Sequence, residues 1–302
     1  MSWFERRTWQ NPAWTLDEIL AAKGDRTVSV VLPALDEEET VGEVVASVRP
    51  LLGSIVDELI VVDSGSADAT VARAERAGAR VVRREDVLPE LEPLPGKGEV
   101  LWRSLAATSG DLMVFLDSDL VEPDPAFVPT LLGPLLCDTG VRLVKGFYRR
   151  PLRLESTGGG RVTELLARPV LSALRPSLSG LIQPLGGEYA ATREFLESVP
   201  FAAGYGVEIG LLLDAEARYG LDALAQVNLG VRKHRNRSLL QLGVMSRQIL
   251  GTALGRCGVS SDDPARLTQF VQASGEWLPD VTDVLVADRP AMREVLAARD
   301  TV

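Results

Sequence analysis

The chain has 302 residues, 46% of them hydrophobic and 25% charged, with 32 Lys and Arg set against 42 Asp and Glu. This suits one large or two small globular domains with a substantial core. The formal net charge of −10 excludes a general binder of nucleic acid or anionic membrane, since both rely on a basic field, and directs attention to small-molecule partners.

Residues 1 to about 14 read as an irregular arm, with Trp3, Trp9 and Trp14 packing it onto the body. Thr15-Leu16-Asp17-Glu18 is a capping-box pattern that starts a helix, and Gly24 is a suitable stop. The β-branched run Val28-Ser29-Val30-Val31-Leu32, ended by Pro33, predicts the first core strand. Asp36-Glu37-Glu38-Glu39 then opens a helix to about Val48, its acids at the positive end of the dipole; for Glu38 and Glu39 helix capping is the favoured reading. Leu59 to Val62 is the second strand, followed by Asp63-Ser64-Gly65-Ser66-Ala67-Asp68 and a helix to about Ala77; Arg80 to Arg83 is the third. Strands alternating with helices in this way imply βαβ units and a parallel sheet. The turns after its strands share one edge, so those at Asp36, Asp63 and Asp117 are expected to meet there and form a nucleotide site.

Pro95-Gly96-Lys97-Gly98 precedes a helix to about Ala107. Glycines around a lysine at a helix start suit close backbone approach to an anion, although the spacing of a Walker loop is missing. Leu112 to Leu116 reads as a strand buried on both faces that ends in Asp117-Ser118-Asp119. In an extended backbone two carboxylates two positions apart point to the same side, and their repulsion calls for a cation, for which a hard divalent ion shared with phosphates is suited. Phe127 to about Leu136 is predicted helical and Val141 to Tyr148 a strand. Arg149, Arg150 and Arg153, then Gly158-Gly159-Gly160-Arg161-Val162-Thr163, form a basic, glycine-rich island suited to an anionic ligand. Gln183 to Tyr189 reads as a loop entering a short strand, Gly204-Tyr205-Gly206-Val207-Glu208 as the opening of a helix to about Tyr219, and Ala225 to Leu229 as another strand. That strand leads to Arg232-Lys233-His234-Arg235-Asn236-Arg237, where the only histidine of the chain stands among cations. Imidazole combined with carboxylate is a reasonable ligand set for Mn²⁺ or Mg²⁺. Leu239 to about Arg256 is an apolar-rich helix; beyond Gly258 no chemistry is evident, and the tail packs on the body or on another subunit. Cys137 and Cys257, the only cysteines, form no Cys-x-x-Cys pair, which fits free thiols in a reducing compartment. The N-terminus lacks the apolar core of a signal peptide and no apolar run approaches the ~20 residues of a membrane span. A soluble, cytoplasmic protein is the expectation.

The ordered set Pro33-Ala34-Leu35-Asp36-Glu37, Val62-Asp63-Ser64-Gly65-Ser66, Pro95-Gly96-Lys97-Gly98, Asp117-Ser118-Asp119, Gly158 to Thr163, Tyr205-Gly206-Val207-Glu208 and His234-Arg235-Asn236-Arg237 resembles the actinobacterial glucosyl-3-phosphoglycerate synthases. The resemblance implies an α/β fold of the GT-A glycosyltransferase type, a Rossmann-like nucleotide-binding sheet with a contiguous acceptor-binding part. The chain divides into an arm and helix at 1–26, a sugar-nucleotide half at 27–150, an acceptor half at 151–257 and a tail at 258–302 that packs on the body or in a dimer interface. The resemblance further implies a homodimer that moves glucose from UDP-glucose to the 2-hydroxyl of 3-phosphoglycerate with retention, using Mg²⁺ or Mn²⁺. Pro33, Ala34, Leu35, Asp36, Glu37 and Ser64 would hold the uridine end. Lys97 would lie near the diphosphate, and Asp117 with Ser118 would bind the nucleotide. Asp119 and His234 would be the metal ligands. Tyr205, Gly206, Val207 and Glu208 would line the sugar site, and Gly160, Arg161, Val162, Thr163 and Asn236 would take the phosphoglycerate. Leu185 would offer its backbone carbonyl to the anomeric centre.

Two departures stand out: Asp36 replaces the family's usual Asn, placing a negative charge beside the base, and the stretch from Tyr148 to Gly158 is several residues short. A double-displacement mechanism needs a carboxylate under the anomeric carbon; the resemblance supplies none, so front-face substitution is expected. Mannosyl transfer to the same acceptor and a non-catalytic sugar-nucleotide sensor are the alternatives. Hexose choice rests on a few hydrogen bonds, and a sensor would keep the donor residues while the acceptor residues decay.

Overall fold

The computed structural model describes residues 1–149, 160–232, 238–259 and 265–299. Its strands in chain order are β1 (Thr8–Trp9), β2 (Val28–Ala34), β3 (Glu58–Asp63), β4 (Arg80–Arg83), β5 (Leu112–Phe115), β6 (Leu143–Arg149), β7 (Tyr189–Thr192), β8 (Phe201–Ala202), β9 (Leu224–Val231), β10 (Arg266–Ala273), β11 (Glu276–Asp283) and β12 (Asp288–Arg289). Eight of them make one sheet in the order β1-β9-β6-β7-β5-β2-β3-β4. All its pairings are parallel except those of β7, which runs antiparallel to both β5 and β6. Reversal of this one strand brings its first residue, Tyr189, beside Phe115 at the end of β5. The loop entering β7 therefore opens on the same sheet edge as the turns leaving β2, β3 and β5.

Alternation along the strands divides the core into two layers. Val28, Val30 and Leu32 join Val114 and the helices Leu16–Lys23, Val41–Val48 and Phe127–Cys137 on one face. Val31 joins Met113, Phe115 and the helices Lys97–Ala107 and Val207–Tyr219 on the other. Both faces of the sheet are covered, as a mostly parallel sheet requires.

Most predicted elements stand, including the Thr15 capping box and the Gly24 stop. Four differ for physical reasons. The arm is ordered, as a short helix Trp3–Arg7 followed by β1 at the sheet edge, and Trp3 Nε1 donates to Leu221 O at 2.9 Å. Strand β2 continues through Pro33 to Ala34; its pairing with β5 stops at Val31, so beyond that point the missing proline N–H breaks no bond to β5. The helix expected from Asp36 starts only at Val41, because Asp36 turns into the left-handed region at φ 54° and its neighbours bond across to the loop after β3. Asp and Asn are the non-glycine residues that best tolerate that conformation. Finally, the tail holds an antiparallel hairpin, β10–β11, and a two-stranded pairing of β12 with β8.

Gly133 lies in the Phe127–Cys137 helix, and a Cβ there would meet the Trp14 ring at 2.4 Å. Gly133→Ala should therefore destabilise the fold by about 1–3 kcal/mol through overpacking, although at an open helical position the same change would stabilise it by up to about 1 kcal/mol. The shift of the urea midpoint reads the sign.

Candidate active site

The turns after β2 and β3 are stitched together by their own side chains. Asp36 N–H donates to Ser66 Oγ at 3.0 Å and Asp36 Oδ1 accepts from Ala67 N–H at 2.8 Å. Glu37 N–H donates to Thr70 Oγ1 at 2.8 Å, and Glu38 Oε2 accepts from Ala69 N–H at 3.0 Å. Asp63 folds back on its own turn, accepting from the N–H groups of Gly65 and Ser66, while Ser64 N–H bonds to Ala34 O at 2.9 Å. The Asp117 turn joins them through Ser118, whose hydroxyl donates to Pro33 O at 2.6 Å. Pro33, Ala34, Leu35, Asp36, Glu37, Ser64 and Ser118 thus share one edge, with the Leu35 side chain 54% exposed. The Asp36 carboxylate is engaged by the Ala67 N–H.

Beside this edge lies a cluster of charges. Lys97 Nζ donates to Asp117 Oδ1 at 2.6 Å and to Glu208 Oε1 at 2.7 Å. Arg232 Nη2 reaches Asp117 Oδ2 at 2.7 Å, Asp119 Oδ1 at 3.0 Å and Glu188 Oε1 at 3.0 Å, and its Nη1 donates to Tyr148 Oη at 2.9 Å. Strand β5 ends at Phe115, so Asp117 and Asp119 sit in the turn beyond it; they converge all the same, on one guanidinium. Burial drives the pKa of Lys97 down, but Asp117 and Glu208 outweigh it and hold the ammonium well above its usual range. Burial would likewise raise Asp117, yet Lys97 and Arg232 keep its carboxyl well below the ordinary value. Glu188 is raised, by burial first, with Arg232 opposing. Its contact with Arg232 has ionic distance without hydrogen-bond geometry, and neither carboxylate oxygen has a hydrogen-bond partner among the described residues.

Lys97 owes its position to its two flanking glycines. A Cβ at Gly98 would lie 1.8 Å from Ala202 O, and one at Gly96, where φ is +117°, would lie 2.7 Å from Ala203 O. The glycines expected to admit an anion here admit the backbone of residues 202–204, with Glu99 N–H bonded to Ala203 O at 2.9 Å. That backbone leads directly into Tyr205, Gly206, Val207 and Glu208 at the start of the Val207–Tyr219 helix. Gly187 plays a similar part, since a Cβ there would strike the Asp117 carboxylate at 2.3 Å. Leu185 lies half-buried in the same loop. Gly160, Arg161, Val162 and Thr163 form the start of the next helix, Val162 and Thr163 buried and Arg161 exposed. His234 and Asn236, together with Gly158 and Gly159, lie outside the described residues.

Two site residues carry no motif. Arg232, only 4% exposed at its side chain, reads in the sequence as one more cation beside His234. Lys145, buried in β6, donates to Gly186 O, lies 4.6 Å over the Tyr189 ring and has its pKa pushed down to about 8 by burial, against the pull of Glu208. A lysine inside the apolar run Leu143-Val144-Lys145-Gly146-Phe147 is the signal that could have found it.

The sequence profile of the family described as Glycosyl transferase family 2 matches residues 29–141. Glucosyl-3-phosphoglycerate synthase of Mycolicibacterium smegmatis is 63% identical over 294 residues, 96% of this chain and 97% of the relative. The chain belongs to the glucosyl-3-phosphoglycerate synthase family. The synthase of Petrotoga mobilis is 40% identical over 90% of this chain and 88% of the relative. The crystal structure of the Mycobacterium tuberculosis glucosyl-3-phosphoglycerate synthase with Mn²⁺, UDP-glucose and phosphoglyceric acid superposes with a TM-score of 0.88 at 58% identity, covering 95% of this chain and 98% of that one. Its complex with Mg²⁺ and UDP superposes at 0.90.

Among the described residues no three ligating side chains form a ready metal site, but the oxygen donors of Asp117 and Asp119 suit a hard divalent cation by their chemistry. Asp117, Asp119 and Glu188 all approach one guanidinium nitrogen, Arg232 Nη2, within 3.0 Å, and a hard ion with oxygen ligands answers the same charge requirement. Replacing the buried guanidinium by Arg232→Met should cost about 3–5 kcal/mol, because the carboxylates lose their partner. Mn²⁺ should then raise the melting temperature of the variant more than that of the unaltered protein, a difference that differential scanning calorimetry reads directly.

Proposed function

We propose that this chain transfers glucose from UDP-glucose to the 2-hydroxyl of 3-phosphoglycerate in a metal-dependent, retaining reaction that yields glucosyl-3-phosphoglycerate and UDP. The observation that carries the reading is Lys97, held as a cation between Asp117 and Glu208 at the edge where the turns of β2, β3 and β5 meet. The close similarity to glucosyl-3-phosphoglycerate synthases over nearly the whole chain supports the donor and acceptor.

Pro33 to Glu37, Ser64, Asp117 and Ser118 receive the nucleotide. Asp119, with His234, would hold Mg²⁺ or Mn²⁺, which when bound supplies charge stabilisation to the departing diphosphate. Lys97 adds a fixed positive charge to the same leaving group. Its raised pKa makes it a stabiliser of developing negative charge rather than a base. Tyr205, Gly206, Val207 and Glu208 line the sugar, Glu208 accepting from its hydroxyls, and Gly160, Arg161, Val162, Thr163 and Asn236 take the phosphoglycerate. In this assignment residues 27–150 receive the nucleotide, and 151–257 supply the acceptor site together with Tyr205 to Glu208 at the sugar and His234 at the metal.

We read retention as proceeding without a covalent intermediate, and the engagement of the carboxylates at hand supports that reading. Both nearby carboxylates are already engaged, Glu208 by Lys97 at 2.7 Å and Glu188 by Arg232 at 3.0 Å. In the front-face route the anomeric C–O bond to the diphosphate breaks while the 2-hydroxyl oxygen of the acceptor bonds to the same face. The hydroxyl proton passes to the departing phosphate oxygen, and the Leu185 carbonyl faces the electron-poor carbon. Mass spectrometry and NMR after incubation with UDP-glucose, 3-phosphoglycerate and Mg²⁺ should show an α-linked product. A mannosylated product from GDP-mannose instead would move the donor assignment, and donor binding without any turnover would favour a sensor. Lys97→Ala should lower kcat by about 10²-fold or more.

The same reading includes a homodimer, working in the cytoplasm, where the free thiols of Cys137 and Cys257 would persist. Across the β10–β11 hairpin, Phe270 pairs with Pro279, Thr268 with Val281 and Gln272 with Trp277, all on one face. Phe270, Trp277 and Val281 are 60%, 67% and 56% exposed, an apolar face suited to a second copy. Sedimentation should give a dimer for the unaltered protein and a shift towards monomer for Phe270→Asp combined with Val281→Asp.

A further inference from the structure

The tail beyond residue 258, which carries no motif, is fastened to the back of the helix that presents Lys97. Glu99, two residues after Lys97, is fully buried and meets two guanidiniums. Arg103 Nε donates to its Oε1 at 2.7 Å, and Arg289, from the tail, grips it with two donors, Nε to Oε2 at 2.7 Å and Nη2 to Oε1 at 2.8 Å. Such a fork fixes direction as well as distance. The Arg289 guanidinium also lies 5.2 Å over the Trp102 ring, and Trp102 Nε1 donates to Pro290 O at 2.8 Å. One face of the Lys97–Ala107 helix is thereby clamped at Glu99, Trp102 and Arg103.

The same tail segment also grips the chain that leads to Glu208. Strand β12 pairs with β8, Arg289 opposite Phe201 and Asp288 opposite Ala202, and Ala203 N–H donates to Ala287 O at 2.9 Å. Asp288 is held in turn by Arg256 Nη1 at 2.5 Å, and the Nε of Arg256 reaches Asp214 on the Val207–Tyr219 helix. Ala203 O accepts from Glu99 N–H. The tail, the Lys97 turn and the strand before Tyr205 therefore form one hydrogen-bonded unit, and that unit carries Lys97 and Glu208, the two ends of the 2.7 Å ion pair in the site.

We propose that Arg289 is a positioning residue for the transfer reaction, setting the placement of Lys97 relative to Glu208 through its fork on Glu99 and its pairing with Phe201. It touches neither Lys97 nor Glu208. The inference rests on the glucosyl-transfer reading given above. A transition-state contact is far more sensitive to small displacements than ground-state binding is, and a shift of about 1 Å costs on the order of 10²-fold in rate. The loss should therefore fall on kcat.

The test compares Arg289→Met, Arg289→Lys and Trp102→Phe with the unaltered enzyme, measuring kcat and KM for both substrates, the melting temperature and UDP affinity in the presence of Mn²⁺. The account expects kcat for Arg289→Met to fall about tenfold or more, with KM for 3-phosphoglycerate and UDP affinity within twofold. Arg289→Lys, which keeps the charge and one donor nitrogen, should recover part of kcat, and Trp102→Phe, which loses the bond to Pro290 O and part of the buried ring under Arg289, should show a smaller fall of the same kind. Unchanged kcat in folded Arg289→Met overturns the proposal, as does a loss confined to KM. Should Arg289→Met fail to fold, the other two variants decide: normal kcat in both overturns the proposal, and a kcat-only loss supports it. Failure of the unaltered enzyme to make the glucosylated product would instead refute the functional reading.

Discussion

The structure depends on the pairing of buried charges. Asp117, Asp119, Glu188 and Glu208 are set against Lys97 and Arg232 in a space that water enters only at its margin. No member of this set is stable there alone, since an isolated charge taken out of water costs several kcal/mol. Pairing keeps Lys97 protonated and Asp117 ionised without fully satisfying the cluster, because Glu188 lacks hydrogen bonds among the described residues. A site held in this condition is ready to exchange internal ion pairs for those with a metal and a diphosphate.

The backbone makes the cluster possible by close approach. Strand β7 runs against its neighbours and so delivers Glu188 to the edge reached by Asp117. Gly187 lets the Asp117 carboxylate rest against that loop, and Gly96 and Gly98 let the Lys97 turn lie on residues 202–204. These three glycines are required by contact with other chain segments. The tail closes the arrangement from behind, gripping the Lys97 helix at Glu99 and Trp102.

Much of this was legible in the residues. The apolar strand ending in Asp117 and Asp119 marks a site because local patterning and charge conflict there, and the capping box at Thr15 marks a helix start because two backbone donors need those side chains. Convergence of the Asp36, Asp63 and Asp117 turns followed from parallel topology. What stayed hidden depends on contacts distant in sequence. Arg232 acquires its role only when β9 is placed next to β6 and near the end of β5. Gly98 announces a close approach but not the partner, which is Ala202. Arg289 and Glu99 are 190 residues apart, and each alone resembles an ordinary surface charge. The helix begins at Val41 and not at Asp36 because acids that look like dipole partners join two loops.

When donor binds, substrate charge is expected to replace internal pairing at Lys97. The most direct measurement is a crystal structure of this chain with UDP-glucose and Mn²⁺ bound. The account predicts Lys97 Nζ within hydrogen-bond distance of a donor phosphate oxygen, with Asp119 released from Arg232. Donor bound elsewhere, with Lys97 still paired only to Asp117 and Glu208, would contradict it.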